Sequence, residues 1–296
     1  MAVRRCNSGS RRLANNPDLI VLLSMPRSGS HFLRAAIAAG GAIVNLDEPF
    51  NPDLGDRSYR FDRFLRDEIA ADSGWRMDAG NADAILARYF GRLAREGNGK
   101  PVLVDIKDDE LRIIEWPATG ASAEPRVMRH ILKAGYPIIR LERRDLLAQC
   151  ASVRRAIETG EWVMTDRATP AGPTLRLDYE RTRRHMAMTG DSCHNVRRWI
   201  RDHPAVLTLT YETLIAGDRL ADPARHALSR FLGVPIADGG GPMPRRLAPP
   251  PDRLVANLDE IRRRLAGDGL EWLPDLESPR WRNEAMAKAV VPPAAL

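Results

Sequence analysis

Five consecutive apolar residues, Leu19-Ile20-Val21-Leu22-Leu23, run straight into Ser24-Met25-Pro26-Arg27-Ser28-Gly29-Ser30, and a helical pattern begins near His31. An apolar run without alternation is what a strand covered on both faces requires. Such a strand belongs inside a parallel sheet, and strand, small polar loop and helix in that order open a parallel α/β fold. Short apolar runs at Ala42 to Asn45, Val102 to Ile106, Ile138 to Leu141 and Ala205 to Leu209 supply further strands, with helices expected between them. With 296 residues, 44% of them hydrophobic, the chain can bury one large core, or one core with a smaller helical annex.

Asp145 to Glu158 brings Leu146, Cys150, Val153 and Ile157 onto one helical face, with Asp145 set to stabilise the first turn. Asp222-Pro223 is expected to open another helix as cap and first residue, with Leu228, Phe231 and Leu232 as its apolar face and Gly233 as its stop. A proline-rich stretch, Gly239 to Pro251, separates it from a last helix at about Asp252 to Leu265. Asn51 to Asp62 and Thr159 to Pro173 read as irregular segments, the kind that form lids beside a ligand site.

The 45 basic residues against 39 acidic ones give a formal charge of +6 spread along most of the chain. That distribution speaks for a basic cleft around a phosphorylated ligand rather than a polyanion-binding tail. No zinc-finger spacing or RNA-recognition aromatic motif accompanies it, so nucleic acid is not an expected partner. Cys6, Cys150 and Cys193 are odd in number and form no CxxC pair, so neither a disulfide framework nor a metal site is expected, and a reducing cytoplasm is the simplest home. The apolar run at Leu19 is far too short to span a membrane, and Met25-Pro26-Arg27 follows it without a small-residue cleavage site.

A loop of small residues at a helix start offers backbone N–H groups and the positive end of the helix dipole to an anion. Ser28, Gly29 and Ser30 suit that use, with Arg27 adding a charge and Pro26 stiffening the entry. A nucleoside-triphosphate loop would end Gly-Lys-Ser or Gly-Lys-Thr, whereas Ser30 and His31 follow Gly29 here. At this point the sequence resembles the sulfotransferases that use 3′-phosphoadenosine-5′-phosphosulfate (PAPS), whose 5′-phosphosulfate loop reads Pro-Arg/Lys-Ser-Gly-Ser/Thr-Thr. Pro26 to Ser30 match, and His31 stands where a second hydroxyl residue is usual.

In that family an arginine after a later strand and a serine eight positions on hold the donor's 3′-phosphate. Arg144 and Ser152 have that offset, so the resemblance assigns them the role. A helix-flanking arginine and a solvated serine is the plain alternative. The stretches Tyr211 to Pro235 and Arg245 to Glu260 also resemble the family, the latter its bacterial carbohydrate type, the trehalose and nodulation-factor enzymes. By that likeness Arg245 or Arg246 closes over the donor. The fold implied is α/β, a P-loop-type three-layer arrangement with a central, mainly parallel sheet flanked by helices. The domain plan has a mobile basic arm at 1–16, a single sulfotransferase domain at 17–270 and a C-terminal extension at 271–296.

Sulfuryl transfer by in-line attack needs a base for the acceptor hydroxyl, cations for the leaving phosphate, and alignment of both. A sulfuryl group carries less charge than a phosphoryl group, so no metal is required. Glu48 is the expected base. It follows the second strand on the same edge as the loop, in a Glu-Pro-Phe-Asn-Pro stretch that resembles the family's. Asp47 is the weaker candidate, and a turn carboxylate paired with Arg27 or Arg34 is the plain alternative. Lys107 ends the third strand, where relatives use a lysine on the bridging oxygen; a solvated strand-end lysine is the competing reading. Arg27 would share that work.

Two other classes compete: a P-loop kinase or hydrolase acting with magnesium-ATP, which the absent Gly-Lys-Ser/Thr ending opposes, and a non-catalytic nucleotide-binding protein. The acceptor is expected to be a carbohydrate or glycolipid hydroxyl by resemblance, with a phenolic or small-metabolite acceptor open. The long charged helix near Asp178 to Arg201 offers a surface for a homodimer.

Overall fold

The computed structural model describes residues 18–53, 55, 57–72, 81–115, 124–162, 175–217, 219–237 and 251–281. Its centre is a parallel sheet of five strands, β1 (Leu19–Ser24), β2 (Val44–Asn45), β3 (Val102–Lys107), β4 (Ile138–Glu142) and β5 (Val206–Thr210), in the order β2-β3-β1-β4-β5. β1, β3 and β4 are buried along their whole length, β1 as an apolar run and β3 and β4 with charged residues buried among apolar ones. Register pairs Ser24 with Lys107 and with Leu141, so the carboxyl ends of the three central strands share one edge. The second strand is shorter than expected: only Val44 and Asn45 pair with β3, and Ile43 turns into the core instead.

Odd-numbered residues of β1, Leu19, Val21 and Leu23, pack on α2 (Phe61–Ala71), α3 (Ala82–Arg95) and α4 (Arg126–Ala134). Even-numbered Ile20 and Leu22 pack on α1 (Ser30–Ala38) and on a helix at Asp222–Leu232. The period of two thus divides one strand between two helical layers, making a three-layer α/β fold.

A third cluster forms where α5 (Leu146–Thr159) packs against the long α6 (Tyr179–Trp199). Asp145 caps α5 as expected, accepting the Ala148 N–H at 2.8 Å. Trp281 closes this cluster over Gly190 of α6, where a Cβ would run into the indole ring. Of the expected extension at 271–296, residues 271–281 are described; the Leu146 N–H donates to the Pro274 carbonyl at 2.8 Å and the Leu276 N–H to the Arg144 carbonyl at 3.0 Å.

Beyond β5 come α7 (Tyr211–Leu214), a small antiparallel pair, β6 (Ile215–Ala216) and β7 (Arg219–Leu220), and α8 (Asp222–Leu232). Two expectations are corrected here. The cap of α8 is the extended Ala221, without a side-chain bond, and Asp222 is its first helical residue, paired instead with Arg225 at 3.1 Å. The last helix is two: α9 (Pro251–Leu254) and α10 (Leu258–Gly267). Between them Val255 bridges Leu175, and the Asn257 side chain bonds both backbone groups of Leu177 at 2.9 Å, which holds the chain out of helix. Of the Asn51 to Asp62 segment, the described residues as far as Arg60 are in neither helix nor strand, and the last two already belong to α2. The basic arm, most of the 159–173 segment and the stretch carrying Arg245 and Arg246 lie outside the described residues.

Candidate functional site

The loop after β1 is shaped by its carbonyls. The Met25 carbonyl accepts Ser28 twice, from the amide at 3.3 Å and the hydroxyl at 2.7 Å. The Pro26 carbonyl accepts Gln149 Nε2 at 2.8 Å, and the Arg27 carbonyl accepts Arg143 Nη1 at 3.1 Å. Three successive carbonyls are therefore occupied by protein donors. Arg27 adopts φ 62, a left-handed conformation unusual outside glycine, and Gly29 follows at φ 91. Gly29 is required twice over, since a Cβ there would also lie 2.8 Å from the Tyr211 ring. The loop feeds the first turn of α1, whose N–H groups have no intrahelical acceptors. Left-handed turns followed by a helix start make a concave array of backbone donors, the geometry that receives an oxyanion.

Cations gather at the same place. Arg27 Nε donates to Ser152 Oγ at 3.0 Å, and its Nη1 bonds the Trp162 carbonyl. Burial first, and the charge of Arg143 next, draw the Arg27 pKa below the ordinary arginine value, with Arg155 adding to the effect.

The carboxylates lie on the other side of the loop. Lys107 Nζ reaches Asp105 at 2.6 Å, Glu48 at 3.0 Å, Ser30 Oγ at 2.8 Å and Ser24 Oγ at 3.1 Å. One buried ammonium thus links the carboxylate after β2 to the hydroxyl at the start of α1. Burial would depress its pKa, but Asp105 and then Glu48 outweigh that and raise it, so the group is charged. Asp105, fully buried, also accepts the Ser24 hydroxyl at 2.7 Å; burial would raise its pKa, yet Lys107 and Arg34 hold it below the carboxylate range. Arg34 contacts Asp47, Glu48 and Asp105 at 3.3–3.4 Å, and Asn51 donates to the second Glu48 oxygen at 2.9 Å.

Glu48, Lys107 and Ser30 are therefore brought together, and the carboxylate does pair with Arg34, as its plain role would have it. His31 Nδ1 lies 3.3 Å from Arg34 Nη2, and because a guanidinium only donates, Nδ1 is the acceptor there; burial and then Arg34 lower its pKa. Among the described residues no cluster of three His, Cys, Asp or Glu has the arrangement to hold a metal.

Arg144 and Ser152 are not brought together. Ser152 is buried on Arg27, whereas Arg144 is exposed, its amide bonded to Glu212 at 2.9 Å, and lines a separate cavity of ≈ 460 Å³ with Leu147, Pro251 and Arg262. The guanidinium beside the loop belongs to Arg143, stacked 4.5 Å from the centre of the Tyr211 ring. Strand period could have separated the two: Arg140 and Glu142 share one side of β4, so Arg143 falls on the opposite side with Leu141. Gln149 and Arg155 were likewise missed, because a buried polar residue on a helix announces no partner in sequence.

The chain defined by these features is a three-layer α/β protein with a left-handed loop at a helix start and a buried lysine–carboxylate cluster on one sheet edge. It matches no protein-family model and no curated protein.

Proposed function

We propose that this chain is a sulfotransferase that moves a sulfuryl group from PAPS to an acceptor hydroxyl, with a carbohydrate or glycolipid as the acceptor class. The observation that carries the reading is Lys107 Nζ, within 3.0 Å of Glu48 and 2.8 Å of Ser30 at the same time. A base for the acceptor and a cation for the leaving group are then parts of one cluster. In the reaction the acceptor hydroxyl gives its proton to a Glu48 oxygen while its own oxygen bonds to sulfur. The bond from sulfur to the 5′-phosphate breaks, and its electron pair stays on the phosphate oxygen. Protonation removes the Glu48 charge from Lys107, so the ammonium's field passes to that oxygen as it becomes negative. Arg27 and the loop N–H groups take the rest of the charge. Arg143 and Ser152 supply a guanidinium and a hydroxyl for the donor's second phosphate.

The two described cysteines, Cys150 and Cys193, are free and buried, in keeping with a cytoplasmic setting. Among the described residues no helix is long and apolar enough to cross a membrane. The test is transfer of radiolabelled sulfate from PAPS onto a panel of sugars and glycolipids. Wild type is expected to label at least one, and Glu48→Gln to label none while binding adenosine 3′,5′-bisphosphate as wild type does. Equal labelling by both proteins would remove Glu48 from the chemistry, and labelling by neither, with magnesium-ATP bound in preference, would point to a kinase.

A further inference from the structure

Gln149, in the first turns of α5, is 1% exposed, yet neither end of its amide serves α5 itself. Its Nε2 donates to the Pro26 carbonyl at 2.8 Å, and its Oε1 lies 2.7 Å from His185 Nε2 on α6. A carbonyl only accepts, so the amide nitrogen must face Pro26 and the amide oxygen His185; the imidazole must then carry its proton on Nε2 and donate it. The chain of bonds runs from α6 through α5 into the loop.

Its consequence follows from the planarity of the 26–27 peptide. In a trans peptide C=O and N–H point in opposite directions, so holding the Pro26 oxygen toward α5 sends the Arg27 N–H the other way. Among the described residues that N–H meets no acceptor. Arg27 is also the loop's left-handed non-glycine residue, a conformation that persists only where its surroundings over-determine it. Gln149 grips the peptide before it and Arg143 the carbonyl after it. Packing alone would be met by a methionine at position 149, with no buried amide to satisfy.

We propose that Gln149, held by His185, is a positioning residue that aims the Arg27 backbone N–H at the donor's 5′-phosphate. The inference rests on the donor reading above, and the experiment separates the two. Calorimetry on the full chain measures affinity for adenosine 3′,5′-bisphosphate and for adenosine 3′-monophosphate, and their ratio reports what the 5′-phosphate adds. Gln149→Met and His185→Phe are expected to shrink that ratio about tenfold, the loss of one charge-assisted hydrogen bond, and to leave the monophosphate affinity alone. His185→Gln, which keeps an N–H near the Nε2 position, is expected to retain the wild-type ratio. A lowered melting temperature with an unchanged ratio in Gln149→Met and His185→Phe overturns the proposal, because that is what a packing role gives. A wild type whose ratio is one overturns the donor reading itself. Should Gln149→Met not fold, the two His185 variants decide between the outcomes.

Discussion

Lys107 is buried between carboxylates that need it as much as it needs them. Removing an ion-pair partner from a dry site leaves the remaining charge without compensation, a loss of roughly 3–5 kcal/mol. Lys107→Met is therefore expected to lower the melting temperature by exposing Asp105, which is fully buried and keeps Arg34 at 3.4 Å and the Ser24 hydroxyl, to part of that penalty. Adding Asp105→Asn removes the stranded charge, so calorimetric melting of the double variant should show it recovering part of the loss. Glu110 makes the opposite case. Its carboxylate accepts the Lys107 N–H at 2.8 Å, but burial pushes its pKa from 4.5 up to about 8. Between those values the folded chain keeps a proton that the unfolded chain has released, so this group lowers stability as pH rises through that window. Glu110→Gln keeps the acceptor and removes the titration. Its melting temperature relative to wild type is expected to climb across the same window and level off above it; a difference independent of pH would contradict the assignment. Glu48 and Lys107 were each legible alone, from strand ends on one edge. Their contact was not, because it joins residues 59 positions apart through the register of β2 and β3.

At the scale of elements, what the sequence discloses depends on where the hydrogen bonds go. β1, β3 and β4 satisfy their backbones within the sheet and show it as short, mostly apolar stretches. α5 carries its cap one residue ahead of its own apolar face. The break between α9 and α10 is invisible for the converse reason: it is imposed by Leu177, 80 residues earlier, through the Asn257 amide. Asn257→Ala orphans a buried N–H and a buried carbonyl, at a cost of about 2 kcal/mol or more. Chemical denaturation should register that loss, together with faster amide exchange at 175–177; no change in either would mean that α9 and α10 are separated by something else. Arg143 and Arg144 part company for a related reason. A fixed offset from Ser152 selects Arg144, while the turn after β4 presents Arg143 to the loop.

Across the whole molecule, the sheet and its two helical layers hold the left-handed loop and the lysine cluster from opposite sides of β1. α1 and β3 bring Ser30 and Lys107, while α5 brings Gln149, Ser152 and Arg155. α5 is itself clamped by α6 and by residues 272–281, so this third cluster is what keeps the cationic half of the site in position. The fold class was legible because period and length speak for it; the acceptor's identity was not, since much of the irregular chain that would build its pocket follows no readable pattern. The claim on which the rest depends is the donor. Calorimetric titration with adenosine 3′,5′-bisphosphate, run beside ATP with and without magnesium, tests it most directly. The donor reading predicts metal-independent binding of the bisphosphate, weakened by Arg143→Ala and by Ser152→Ala and little changed by Arg144→Ala. No binding of the bisphosphate, or a preference for magnesium-ATP, would contradict it.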